Sequence, residues 1–154
     1  MGGLTNKELE DLCKFFFKEN FLGVYPCDVL PNKNFEKFSV IFNLSKHYEN
    51  GSHFISVTGN KRKIIYFDSF GEPCDNEHIL KYMKSFKKPI KVSKQQLQSV
   101  HSNFCGLYCL YFLIRCFLKN ESLKNFLNHF GIKSLMKNDK LLLKYILKEI
   151  KVIV

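Results

Sequence analysis

A base, a carboxylate and a thiol occur in this chain at His53, Asp68 and Cys105, and Gln98 precedes the thiol by seven residues. An imidazole beside a carboxylate is an oriented base, able to take the proton of a thiol that attacks a carbonyl carbon. A primary amide near that thiol can donate to the oxyanion that results, with the backbone N–H of Cys105 as second donor. In the order His, Asp, Gln, Cys these four make the constellation of a cysteine protease. The condition is that strands and helices bring them together.

The elements that must do so are legible in the pattern. Residues 53–58 and 63–68 are rich in β-formers and joined through Gly59-Asn60, which tolerate the positive φ of tight hairpin turns. Antiparallel pairing sets the start of one strand beside the end of the next, so His53 and Asp68 become neighbours. Cys105 opens a run over 105–119 that is apolar on nearly every side, the pattern of a helix buried all round. A thiol at the N-terminus of such a helix meets the positive end of the dipole and unpaired N–H groups, which favour the thiolate, as a protonated His53 would.

Thr5-x-x-Glu8 is a capping box opening a helix over 6–18, residues 21–31 with two prolines read as a loop, and 38–44 as a strand. Gly71 and Pro73 break the chain, Asp75 or Asn76 caps a helix with Ile79, Leu80, Met83 and Phe86 on one face, and 89–92 is a short strand. Helices follow over 121–130, stopped by Gly131, and from Asn138 or Asp139 to 151, with Leu142, Leu143, Ile146 and Ile150 inward. No repeat or linker divides the chain. The expected architecture is α+β over a single domain, 1–154: a small antiparallel-rich mixed sheet packed with helices around a buried central helix that carries the nucleophile at its N-terminus.

Three phrases carry a family resemblance: Gly51-Ser52-His53-Phe54, Tyr66-Phe67-Asp68-Ser69-Phe70-Gly71, and Gln98 followed by Cys105-Gly106-Leu107-Tyr108-Cys109. They resemble the adenovirus protease (adenain) family and, more distantly, its clan relatives, the SUMO and ubiquitin-like-protein proteases. The N-terminal stretch from Glu8-Leu9 through Phe21-Leu22-Gly23-Val24-Tyr25 is similar as well. The resemblance implies His53 as base, Asp68 as its orienter, Cys105 as nucleophile and Gln98 as oxyanion donor. It implies an endopeptidase that cleaves after glycine, in Gly-x-Gly or apolar-x-Gly-Gly sites, to mature viral precursor proteins in the host nucleus and the virion.

Departures from the family pattern qualify what transfers. Phe54 stands where these families usually carry Trp, in a chain without any Trp, so the apolar cover is kept and the indole N–H is lost. Asp68 stands where adenovirus enzymes often have Glu, although the SUMO-protease relatives have Asp. Family members from mammalian adenoviruses are activated by DNA and by a small viral peptide held through a disulfide. Between Asp68 and Gln98 this chain has only Cys74, and no cysteine lies near 89–92 where the partner would fall, so that disulfide is not expected. A noncovalent peptide or DNA stays open as activator.

Composition agrees with a folded, basic protein. The 154 residues are 45% hydrophobic and 15% aromatic with a net charge of +10, enough apolar material for a core and a potential that favours polyanions such as DNA. The longest apolar run, 104–114, is far short of the ~20 residues that span a bilayer, and the first residues have no signal or myristoylation pattern, so no membrane role and an intracellular location are expected. Six cysteines lack the spacing of a disulfide framework, and the sequons at Asn43, Asn50 and Asn120 are then incidental. Cys109 and Cys116 read as helix packing, and His47, His78 and His129 as surface or capping residues. Zinc on His101, Cys105 and Cys109 would lack a fourth ligand; no metal or cofactor is expected for the chemistry. Two rivals remain: a deubiquitinase or deSUMOylase using the same chemistry on Gly-Gly tails, and a basic nucleic-acid-binding protein without catalysis.

Overall fold

The computed structural model describes residues 3–32, 36–46, 48 and 53–154. His47, the Asn50 sequon and the Gly51-Ser52 pair of the first phrase lie outside the described residues. The described chain runs α1 (Asn6–Phe16), β1 (Phe21–Pro26), β2 (Phe38–Asn43), β3 (Phe54–Gly59), β4 (Ile64–Phe67), α2 (Glu77–Lys84), β5 (Ile90–Val92), α3 (Cys105–Phe112), a π-helical stretch (Leu113–Leu118), α4 (Leu123–Leu127) and α5 (Leu135–Ile153).

The strands form one mixed sheet in the order β1-β2-β3-β4-β5. β2, β3 and β4 are antiparallel neighbours, while β1 and β5 run parallel to β2 and β4 on the two edges. The sheet is therefore evenly mixed rather than antiparallel-rich. The difference comes from β1, where a loop was expected: Gly23 at φ 128° and the terminal Pro26 disguise a strand whose register with β2 shifts between Phe21 and Val24. Pro26 sits at the end of an edge strand, where the missing N–H breaks no internal ladder.

Period-2 alternation sorts the sheet's side chains onto two faces. Val40, Phe42, Ile55, Val57, Ile64 and Tyr66 join Ile79 and Met83 of α2 in one core. Ile41, Phe54, Ile65 and Phe67 join α1, α3, α4 and α5 in the other. Phe112 of α3 stacks on Phe67 of β4 with centroids 4.7 Å apart and planes 6° apart. Burying one such ring contributes about 2–3 kcal/mol, so strand and helix are held firmly where the candidate residues leave them.

Helix boundaries follow local chemistry. The capping box at Thr5 and Glu8 forms, but α1 ends at Phe16 where Phe17 turns extended, two residues before the expected end. Asn76 caps α2 through a 3.1 Å bond from the Ile79 N–H. The run expected as one helix over 105–119 is α-helical only to Phe112 and continues as a π-helix. Ser122 caps α4, which spans fewer residues than the expected 121–130 because Glu121 is drawn to Arg115. α5 begins earlier than expected, capped by Ser134, and Asn138 and Asp139 are buried within it rather than capping it. Leu142 and Ile146 of α5 face the core as expected, whereas Leu143 is 41% exposed.

Candidate active site

β3 and β4 pair with Ser56 opposite Phe67, and the ladder stops just before the site. Continuing that register places Phe70 opposite His53 and brings Asp68 to the same end of the sheet. The consequence is direct: His53 Nε2 lies 2.8 Å from Asp68 Oδ1. Asp68 is itself buried at 4% exposure and its Oδ1 also accepts the Phe70 N–H at 2.8 Å, so it cannot swing away from the ring. Phe70 stacks on the imidazole with centroids 4.8 Å apart, shielding the pair from water.

With Nε2 committed to Asp68, the other ring nitrogen is left for the Cys105 thiol, which is hydrogen-bonded to His53. Cys105 is the first residue of α3, and the N-cap residue Phe104 has no side chain that could satisfy the helix's first N–H groups. Two backbone N–H groups instead serve the sulfur, those of Phe54 and Gly106. Burial pushes the Cys105 thiol up, but the His53 hydrogen bond, the Phe54 N–H, the His53 charge and the Gly106 N–H outweigh it and hold the thiol below its ordinary value. For His53, burial works against the charged ring, yet the hydrogen bonds and charges of Asp68 and Cys105 prevail and raise its pKa from 6.5 to about 9. Opposite shifts in two touching groups describe a thiolate–imidazolium pair.

The other cysteines show how local this is. Cys109, one turn further along α3, is fully buried and pushed far up by desolvation. Cys116 is raised to about 12, largely by burial with Glu121 adding. Cys74 is also raised, burial being the main cause.

Gln98 is 1% exposed and shares with His53, Phe54, Phe70 and Cys105 the wall of a cleft of about 450 Å³. Its side chain is held at both ends: Ser69 Oγ donates to Oε1 at 2.6 Å, and Nε2 donates to the Ser102 carbonyl at 3.0 Å. Three of the four residues singled out in the sequence, His53, Gln98 and Cys105, thus line one cleft, and Asp68 is buried behind the His53 ring. Gly106 permits the approach, since a Cβ there would come within 3.2 Å of Leu9 and 3.4 Å of Phe54.

No protein-family model matches the chain, and no curated protein does. Among solved structures, the crystal structure of the ASFV pS273R protease is similar with a TM-score of 0.59, at 19% identity over 91% of this chain and 67% of that chain. The chain shares its fold with that protein. At that identity the likeness concerns architecture, and it points to a protease fold without singling out the adenovirus family.

Several cleft residues had no signal in the sequence. Residues 3–5 ahead of α1 and Asn6 at its start line the cleft, as do Asn43 at the end of β2 and Ser102 and Asn103 before α3. Asn43 donates to Asn6 Oδ1 at 3.0 Å, tying the start of α1 to the sheet. Phe70 was findable, since the β3–β4 register leads to it. The expected surface role of His129 needs correction: the ring is half-buried, 2.6 Å from Glu121 Oε1 and packed edge-on to Tyr111 and Tyr145.

Proposed function

We propose that this chain, acting as a single domain over residues 1–154, is a cysteine endopeptidase that cleaves after glycine in viral precursor proteins. The observation that carries the reading is the His53 ring held between Asp68 and the Cys105 thiol at the mouth of the cleft. The protease fold shared with the ASFV protein supports it.

In this reading the Cys105 thiolate adds to the scissile carbonyl carbon and the electron pair moves to oxygen. One Gln98 N–H and the Cys105 backbone N–H receive that oxyanion. His53 then gives its proton to the departing amine as the C–N bond breaks, leaving a thioester on Cys105. Water, deprotonated by His53, adds to the thioester; collapse releases the carboxylic acid and restores the thiolate–imidazolium pair. Asp68 keeps the ring oriented and stabilises its charge throughout. The chemistry calls on no metal. Phe54, Phe70 and residues 3–6 line the cleft, and in this reading they receive the glycine-containing segment of the substrate.

The test is turnover of fluorogenic apolar-x-Gly-Gly and Gly-x-Gly peptides beside ubiquitin and SUMO fusions. Cleavage of the peptides, lost in Cys105→Ala, supports the endopeptidase; cleavage of the fusions alone moves the assignment to a deubiquitinase or deSUMOylase. Turnover that survives Cys105→Ala would sink the reading.

DNA as activator has its own support. The β3–β4 turn carries Lys61, Arg62 and Lys63, and residues 84–94 carry five lysines and no acid. Lys88 Nζ donates to the Asn60 carbonyl at 2.7 Å, joining the two segments into one basic edge. Binding of labelled duplex DNA that weakens steeply with salt is the expected behaviour.

A further inference from the structure

We infer that Ser69 is a positioning residue for the oxyanion site: its hydroxyl, together with the Ser102 carbonyl, fixes which way the Gln98 amide faces and aims one Gln98 N–H into the cleft. The inference rests on the endopeptidase reading and adds a residue to it.

A glutamine amide offers two N–H donors on one side and a carbonyl on the other. The Ser102 carbonyl can only accept, so the NH₂ must be the group that meets it at 3.0 Å. That leaves Oε1 facing Ser69, whose hydroxyl donates at 2.6 Å. One N–H is consumed by Ser102, and the second is the donor available to the cleft that Gln98 shares with Cys105. Ser69 is 0% and Gln98 1% exposed, so water cannot replace the hydroxyl. Donation to Oε1 also polarises the amide and strengthens its N–H as a donor.

Backbone contacts reinforce the side-chain bond. The Ser69 carbonyl accepts the Leu97 N–H at 2.8 Å and the Gln98 N–H at 3.0 Å. The turn that presents it is closed by the Gly71 N–H on the Asp68 carbonyl at 2.8 Å. Gly71 has φ 72°, and a Cβ there would sit 2.8 Å from the Gln95 carbonyl carbon and 2.9 Å from the Gln96 nitrogen. The turn and the Gln98 segment therefore touch backbone to backbone. Consecutive residues of one turn serve two parts of the site, Asp68 the base and Ser69 the oxyanion donor.

The experiment compares the full chain with Ser69→Ala, Gln98→Ala and the double variant, and with Ser69→Cys, a weaker donor that preserves the side chain should the alanine variant fail to fold. Expected for Ser69→Ala are a roughly 10-fold loss in kcat on a glycine peptide, KM within about twofold, and unchanged iodoacetamide alkylation of Cys105, which needs no oxyanion site. The double variant should be no slower than Gln98→Ala alone. By NMR on ¹⁵N-labelled protein, the Gln98 side-chain amide should exchange with solvent faster once the Ser69 donor is removed, with Ser69→Cys intermediate. Additive losses, an unchanged kcat or an unchanged Gln98 amide would overturn the role of Ser69. The amide readout uses no substrate, so it decides the point even if wild-type turnover is absent, an outcome that would instead count against the endopeptidase reading.

Discussion

Replacing His53 by Ala should slow the alkylation of Cys105 by about 10- to 100-fold at pH 6.5, and the size follows from the coupling at the site. The rise of the His53 pKa from 6.5 to about 9 corresponds to about 3.5 kcal/mol in favour of the charged ring, at ~1.4 kcal/mol per pH unit. That preference is shared between Asp68 and Cys105, and coupling between two titrating groups is reciprocal. An even division leaves ~1.7 kcal/mol acting on the thiolate, somewhat over 10-fold in its population. Burial opposes the charge, so this is a lower bound. A thiol of ordinary pKa ~8.5 is ~1% ionised at that pH, so full ionisation is worth about 100-fold relative to such a thiol. The assay is timed iodoacetamide labelling of all six cysteines, read by mass spectrometry from pH 5 to 10. Wild-type Cys105 should outpace half-exposed Cys74 despite being 8% exposed. Asp68→Asn should give an intermediate loss, since the Cys105 bond survives while the carboxylate charge goes. Equal rates in wild type and His53→Ala, or a Cys105 no faster than Cys74, would refute the ion pair and the mechanism built on it.

Further outcomes follow from the same geometry. The pH profile of kcat/KM should be bell-shaped: the acid limb follows protonation of the Cys105 thiolate, below the ordinary thiol range, and the alkaline limb follows loss of the His53 proton near 9. Because the folded pKa of His53 is raised, its stabilising contribution is full below 6.5 and lost as pH rises through about 9; urea midpoints of wild type and His53→Ala across that window should converge at high pH. Gly71→Ala should cost about 1–3 kcal/mol, since a left-handed φ and a backbone clash combine, and should lower kcat by displacing the Gln98 segment. Asp139→Ala should destabilise by about 2–4 kcal/mol, measured by denaturant unfolding. It strips the shorter of two acceptors from the buried Tyr108 hydroxyl, at 2.7 Å, leaving the Leu97 carbonyl at 3.3 Å, removes the acceptor 3.5 Å from the Ser99 N–H, and loosens the loop carrying Gln98.

How much could be read in advance depended on the range of the forces involved. Local chemistry was legible: the Thr5 capping box, the Asn76 cap, the alternating strands and the all-apolar run after Cys105 each report physics confined to one turn or one face. The meeting of His53 and Asp68 was legible too, because a hairpin makes neighbours of residues fifteen apart. β1 was missed because a parallel edge strand is stabilised by a partner elsewhere in the chain, which its own glycine and proline do not reveal. Asn138 and Asp139 look like caps in isolation; only packing against the Gln98 loop and Tyr108 makes burying them favourable, Asn138 donating to the Leu97 carbonyl at 3.2 Å.

The candidate base, carboxylate, amide and thiol, their order along the chain and the hairpin that pairs the first two follow from residue type and short-range pairing alone. That the thiol of an uncapped helix reaches the far side of the His53 ring depends on how distant segments pack. The same packing decides that Ser69 and Ser102 seize opposite ends of the Gln98 amide, and that Phe70 and residues 3–6 close the cleft. Those are meetings between distant segments, fixed by how two cores pack on opposite faces of one sheet, and no local pattern encodes them.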